Sequence, residues 1–364
     1  MRPTYLEVNL PQLKQNLDNI RAHVAPAKVM AVLKANAYGH GVEGVAPYIT
    51  PYADYIGVAI VEEGIHLREI GIERPILVMG GTLPEQVPAF VQYDLTLAVS
   101  SFELLELANQ LAQASRKKLK VHLKIDTGME RIGVHEYESM AFIEKSLRCS
   151  HLDIEGIFTH FANSESNDLT HAKIQLERFQ EVLHSYEKLG APRPLIRHTA
   201  NSGAILQLPE SHFDMVRPGV LFYGIYPGRK VKRTVEVQPA LRWHSQVAYS
   251  KITQAGRPVS YGSLWQSEIP TRIATIPCGY ADGYFRRMTN RAHVIVNGKM
   301  YPQVGRICMD QFMVNVGGDE VKVGDDVILL GDGIVIEDFA DWSGTNEYEV
   351  MTNISARVPR VFVE

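Results

Sequence analysis

The chain has 364 residues, 45% of them hydrophobic and 21% charged, with 37 Lys plus Arg against 41 Asp plus Glu and a formal charge of −4. That composition belongs to a folded protein with room for two domains, or for one large barrel with an appendage, and it excludes a disordered chain. A balance this near neutral removes the electrostatic case for binding nucleic acid or a membrane surface.

The first residues, MRPTYLEVNLPQLKQ, carry charges and a proline where a signal peptide needs an apolar run. No stretch of about 18 apolar residues offers a membrane span. The three cysteines, Cys149, Cys278 and Cys308, are odd in number and form no CxxC, which predicts reduced thiols and a cytoplasmic setting. No metal is expected, because no HExxH-type spacing occurs, and there is no Walker-type glycine loop.

Dense apolar runs then alternate with segments of helical spacing. Strands are predicted over 29–34, 54–60, 75–79, 93–99, 119–126, 153–160, 195–200 and 214–224. Between them, 101–114 (SFELLELANQLAQA) has leucines at three- and four-residue steps behind a serine N-cap, and 169–189 has the same spacing and stops at Gly190. Eight apolar strands joined by helices predict a parallel sheet covered by helices, in the form of a (β/α)8 TIM-type barrel.

The pattern changes in GIYPGRKVKRTVEVQPAL, a basic, Gly- and Pro-containing linker. Short extended segments follow at 241–252, 272–277, 293–296, 311–316 and 326–330, with an Asn297-Gly298 hairpin signal between two of them. The expected organisation is a barrel over residues 1–234 and a mainly antiparallel β-strand domain over 235–364.

A barrel of this kind carries its active site at the C-terminal ends of its strands. That rule selects Lys34 at the end of strand one, TGMERIG after strand five, His160 at the end of strand six, Asn201-Ser202-Gly203 after strand seven, and Arg217-Pro218-Gly219 in strand eight. Lys34 reads either as a desolvated Schiff-base amine or as a lysine snorkelling to the rim. Asn201 and Ser202 read either as a phosphate-binding helix start or as a plain capped helix. His160 and Arg217 taken singly are a packed histidine and an ion-pairing arginine. Together, a Schiff-base lysine and a phosphate site on one barrel face point to pyridoxal phosphate.

The segment AVLKANAYGHG around Lys34 resembles the cofactor-lysine signature of the alanine racemase family. HLKIDTGMERIG, FTHFA, RHTANSGA, DMVRPGVLFYGIYP, VSYG, GYADGY, GRICMDQ, EYEV and ISARVPR follow in the family's order over essentially the whole chain. The resemblance implies a homodimer with shared active sites that interconverts L-alanine and D-alanine with pyridoxal 5'-phosphate and supplies D-alanine for peptidoglycan. It implies that Lys34 binds the cofactor and serves as one base, and that Tyr261 is the second base, reaching the partner subunit's site from the opposite face. Tyr38, Asn201, Ser202, Gly219, Val220 and Tyr348 resemble the phosphate ligands. Arg217 resembles the partner of the pyridine nitrogen, and His160 the link from that arginine to the tyrosine base. Arg131, Met309 and Tyr280 resemble substrate-binding residues, and Lys124 resembles a lysine carbamylated in many members. Glu130 departs from the pattern and puts an extra carboxylate beside Arg131. Cys308 reads as a thiolate candidate or as a small packed residue.

Overall fold

A computed structural model describes residues 2–364 and divides the chain into two compact units. One comprises Leu13–Ala37 and Val42–Gln238; the other gathers residues 2–12, Tyr38–Gly41 and Pro239–Glu364.

The first unit is the expected parallel barrel. Its strands are Lys28–Val32, Tyr55–Val58, Ile76–Val78, Thr96–Val99, Leu119–Asp126, Leu152–Phe158, Ile196–His198 and Met215–Val216. Each pairs in parallel with the next from the first to the seventh, and the eighth pairs with the first. Between the seventh and eighth, two backbone bonds close the ring: Asp214 N to Arg197 O at 3.0 Å and Arg217 N to Ala200 O at 2.9 Å. Met30, Tyr55, Leu77, Phe158, Ile196 and Met215 fill the interior, so the barrel is a packed core.

Local signals account for its helices. Helix Phe102–Ala114 starts at Ser101, whose hydroxyl accepts from Leu104 N at 3.1 Å, and it buries Leu104, Leu105, Ala108 and Ala112 against the strands. Helix Thr170–Lys188 ends before Gly190, which takes φ +62, a conformation glycine adopts without steric cost. The eighth strand is shorter than the expected 214–224. It stops at Val216, the chain passes through Pro218-Gly219, and a 3-10 turn, Val220–Tyr223, follows. Pro218 has no N–H to donate to a ladder.

The second unit is one nine-stranded sheet in the order Tyr249–Thr253, Thr271–Ile276, Phe312–Gly317, Lys299–Val304, His293–Val296, Asp326–Leu330, Leu241–Gln246, Tyr5–Asn9 and Arg360–Val363. All pairs are antiparallel except the last. The Asn297-Gly298 hairpin forms as expected, with both residues left-handed at φ 49 and 80. Among the elements not legible in the pattern are the N-terminal strand and the strand Arg360–Val363 that pairs with it, and the helices Ile336–Ser343 and Glu347–Thr352.

Candidate active site

The first barrel strand ends at Val32, and Leu33 N donates to Gly57 O at 2.9 Å, so Lys34 leaves the sheet at the strand's C-terminal end. Ala35, Asn36, Ala37 and Tyr38 then take φ values of 52, 54, 53 and 51, a left-handed turn built of non-glycine residues. Such a conformation costs roughly 1–2 kcal/mol per residue and persists only where neighbours enforce it. Here Ala35 N donates to Glu63 Oε1 at 2.6 Å, Val42 N to Asn36 Oδ1 at 2.7 Å and Ala37 N to Leu33 O at 2.9 Å. Burial, and then the positive charge of Arg131, push the Lys34 amine below the usual lysine range, while Glu63 pulls the other way.

After the fifth strand, Asp126 organises the loop that carries Arg131. Its Oδ1 accepts from Gly128 N and Met129 N, both at 2.8 Å, and its Oδ2 accepts from Arg131 N at 3.1 Å. Burial opposes the Asp126 charge, but these backbone donors outweigh it and hold the carboxyl below its usual range. Glu130, the departure from the family pattern, pairs with His135 at 3.0 Å. Helix Thr170–Lys188 ties down this loop and the next: His171 Nε2 lies 3.0 Å from Gly128 O, Arg178 donates to Thr127 O at 3.0 Å, and Gln175 Nε2 donates to His160 O at 3.0 Å.

Arg217 is the centre of the barrel mouth. It is 3% exposed, and no carboxylate contacts it among the described residues. Its Nη2 donates to Thr159 O at 2.8 Å, to Thr199 O at 3.0 Å and to His160 Nδ1 at 3.3 Å, and its Nη1 donates to His198 Nδ1 at 2.8 Å. Its Nε finds no acceptor among the described residues. Burial lowers Arg217 to about 9, still above neutral pH, so it remains a cation. Burial, and then Arg217, hold His160 well below the ordinary histidine range. The positive charge of this pair therefore resides on Arg217, and His160 is a neutral acceptor.

Phe158 forms the floor. Its ring stacks on His198 with centroids 4.7 Å apart, the Arg217 guanidinium carbon lies 5.5 Å from its centroid, and Lys124 Nζ lies 4.7 Å from it. Lys124 is 4% exposed, inward on the same strand face as His122 and Asp126. Burial, and then Arg217, hold its amine well below the lysine range against the pull of Asp126.

After the seventh strand, Asn201 caps helix Ser202–Gln207 by accepting from Ala204 N at 3.1 Å and also accepts from Ser164 Oγ at 2.6 Å. Ser202 Oγ accepts from Gly219 N at 3.0 Å and from Leu221 N at 3.2 Å. With both lone pairs filled, the remaining capacity of that hydroxyl is as a donor. Lys34, Lys124, Arg131, His160, Asn201, Ser202, Arg217, Gly219 and Val220 thus all belong to the barrel unit.

Tyr38, Tyr261, Tyr280, Met309 and Tyr348 belong to the β unit. The Tyr38 and Tyr348 rings lie 6.2 Å apart, and Gly39 beside them has no room for a side chain, since a Cβ would stand 2.2 Å from Met351 O. Tyr261 opens a short turn behind Ser260, itself left-handed at φ 67 and anchored by its hydroxyl to Arg306 O at 2.6 Å. Tyr280 N donates to Cys308 O at 3.1 Å and Ala281 N to Met309 O at 3.0 Å, which seats the GYADG loop against RICMDQ. Tyr261 is 70% exposed, and Tyr280 and Met309 are also exposed, along an open concavity that includes Lys251, Arg257 and Arg306. Cys308 Sγ lies 3.4 Å from Ser260 Oγ.

Sequence reasoning missed Glu63, Asp126, Phe158, His122, His198 and Glu155. His122 and Asp126 sit in the quoted motif HLKIDTGMERIG, Phe158 in FTHFA and His198 in RHTANSGA, and His122 has the inward parity of Lys124; Glu63 and Glu155 fall in no quoted motif.

The family model for the alanine racemase N-terminal domain matches residues 8–227, and that for the C-terminal domain matches residues 240–362. Alanine racemase of Carboxydothermus hydrogenoformans is 45% identical over all of both chains. Among solved structures, alanine racemase of Clostridium difficile 630 superposes with a TM-score of 0.95 at 37% identity, over 100% of this chain and 96% of that one. Alanine racemase of Bartonella henselae with covalently bound pyridoxal phosphate superposes at 0.92 and 29% identity, over 100% of each. Two matching domain models, full-length similarity and the shared fold place this chain in the alanine racemase family.

Proposed function

We propose that the protein is an alanine racemase that interconverts L-alanine and D-alanine, a peptidoglycan building block, with pyridoxal 5'-phosphate as its cofactor. The observation that carries the reading is Arg217, a buried cation without a carboxylate, at the same barrel end as a lysine whose amine is desolvated.

The barrel residues fit the cofactor. Lys34 supplies an amine for its aldehyde carbon, and the unpaired Nε of Arg217 suits a ring nitrogen that accepts. The Ser202 hydroxyl, obliged to donate, suits a phosphate, together with Asn201 at the helix start and the backbone at Gly219 and Val220. Tyr38 and Tyr348 complete the proposed phosphate ligands. When bound, pyridoxal phosphate supplies the electron sink that makes the Cα proton of an amino acid removable. A donor that keeps its own proton, as Arg217 does, leaves the ring nitrogen unprotonated and moderates that sink.

Racemisation needs a proton taken from one face of Cα and another delivered to the opposite face. Lys34 Nζ serves one face; desolvation favours its neutral, basic form. Tyr261 of the partner subunit serves the other, and His160 links it to Arg217. Arg131 of the barrel unit, and Met309 and Tyr280 of the β unit, are the proposed substrate-binding residues. Lys124, its amine held well below the lysine range by burial, is the amine that carbon dioxide would carbamylate, and the new charge would steady Arg131. The exposed Tyr261 face supports a homodimer with shared sites. Three free cysteines support a reducing cytoplasm, and no helix among the described residues is long and apolar enough to cross a membrane.

The test is L-alanine in heavy water with the cofactor-loaded protein, following deuterium at Cα and product chirality. Deuterium with D-alanine accumulating is expected. Deuterium with retained L-configuration would mean one working base and overturn the role of Tyr261. No exchange, with cofactor bound at Lys34, would overturn the racemase reading.

A further inference from the structure

Behind Arg217, a chain of polar groups, buried except at the part-exposed Glu155, crosses the barrel. From Arg217 Nη1 it runs 2.8 Å to His198 Nδ1, then 2.8 Å from His198 Nε2 to His122 Nδ1, then 3.3 Å from His122 Nε2 to Glu155 Oε2. Glu155 Oε2 also accepts from Tyr55 Oη at 2.9 Å, and Tyr55 Oη lies 2.7 Å from Thr96 Oγ1. Tyr55 and Thr96 are the first residues of their strands, so the chain joins the mouth to the N-terminal end of the barrel.

The proton positions follow from what each end is able to do. A guanidinium only donates, so His198 Nδ1 must offer its lone pair and carry its proton on Nε2. That proton faces His122 Nδ1, which must also offer a lone pair. His122 then carries its proton on Nε2, pointing at a carboxylate that only accepts. Both imidazoles are fully buried, and burial is the largest influence holding each below the ordinary histidine range, so neither takes a second proton at neutral pH.

The backbone is shaped for this chain. The ladder between the fifth and sixth strands slips at His122: Val121 faces Ile154 while His122 faces Gly156, leaving Glu155 as the extra residue of a bulge. Bulges re-aim side chains. Gly156 has no side chain, and a Cβ there would stand 2.5 Å from His122 Nδ1. A bulge that delivers Glu155 and a glycine that admits His122 act on the same pair.

We infer that Glu155 is a positioning residue for Arg217: through His122 and His198 it fixes the order of protons in the chain, so that Arg217 meets a bare imidazole nitrogen and keeps Nε turned to the barrel mouth. The alternative order, with both histidines protonated on Nδ1, would set an N–H of His198 against an N–H of Arg217. A carboxylate at the far end forbids that order. The consequence for the cofactor rests on the reading of Arg217 given above; the proton order does not.

The test uses the holoenzyme labelled with ring-15N histidine and long-range proton–nitrogen correlation, with His122→Phe and His198→Phe identifying the two signals. Both rings are expected with a pyrrole-type Nε2 and a pyridine-type Nδ1. Glu155→Gln keeps the shape but presents either an oxygen or an amide NH2 to His122. It is expected to mix the two tautomers, to shift the absorption band of the bound cofactor, and to lower kcat about tenfold with KM changed less than about twofold. A pyrrole-type Nδ1 at His198 in the unaltered protein, which needs no variant, would overturn the inference. So would Glu155→Gln with tautomers and kcat unchanged. Absence of racemisation alongside the expected tautomers would sink the racemase reading and leave the proton order standing.

Discussion

Arg217 shows how far single residues can be understood from their partners. A buried cation without a carboxylate is costly unless its donors are satisfied, and here four acceptors surround two of its nitrogens while a third stays unpaired. Lys34 is tested directly. Lys34→Ala is expected to lose the cofactor that borohydride fixes to the protein and to reduce racemisation at least about 1000-fold. Retention of borohydride-fixed cofactor would place the covalent bond at another lysine. The buried histidines set a pH dependence of stability. His122, His160 and His198 have folded values below the ordinary one, with burial the chief cause in each. Between the folded and unfolded values the unfolded chain binds more protons. Stability is therefore full above about pH 6.5 and is lost as pH falls, by up to about 1.4 kcal/mol per pH unit for each histidine. Urea midpoints of the cofactor-free protein should fall from pH 7.5 to 5.5; a constant midpoint would contradict neutral burial of these rings.

At the scale of elements, the strand-end rule made Lys34, His160, Ser202 and Arg217 legible, because parallel apolar strands are recognisable as continuous runs and their ends carry the exceptions. The left-handed turn after Lys34 was not legible. Of Ala-Asn-Ala-Tyr only the single Asn tolerates it readily, and Glu63, which enforces it, lies 28 residues beyond Ala35. Glu155 was equally hidden, since a bulge breaks the alternation from which a side chain's direction is read. The N-terminal strand joins a sheet whose other strands lie more than 200 residues away, and no local pattern announces such a partner. Gly156→Ala tests the packing argument. Its Cβ would meet the His122 ring on both nitrogen and carbon, at 2.5 and 2.6 Å, in a barrel with no room to yield. A loss of about 1–3 kcal/mol is expected, read as a lower urea midpoint at unchanged m-value. An unchanged midpoint would show that His122 moves freely, and would weaken the case for a fixed histidine chain.

At the scale of the whole molecule, the two bases of the proposed reaction lie in different compact units, Lys34 in the barrel and Tyr261 on an exposed turn of the β unit. If Tyr261 serves the site of a partner subunit, each site of a two-fold dimer takes its lysine from one protomer and its tyrosine from the other. Complementation then has a definite arithmetic. Lys34→Ala protomers lack one base and Tyr261→Phe protomers lack the other, so neither homodimer has an intact site. A heterodimer has one site lacking both bases and one site with both. Random exchange makes half the dimers heterodimers, and half of their sites are intact, so the mixture should recover about a quarter of the normal activity. Recovery should appear only after conditions that let subunits exchange, and it should depend on the mixing ratio, greatest at equal amounts. A mixture that stays inactive after demonstrated exchange would mean that each subunit draws both bases from its own chain, and the exposed Tyr261 face would then need another explanation.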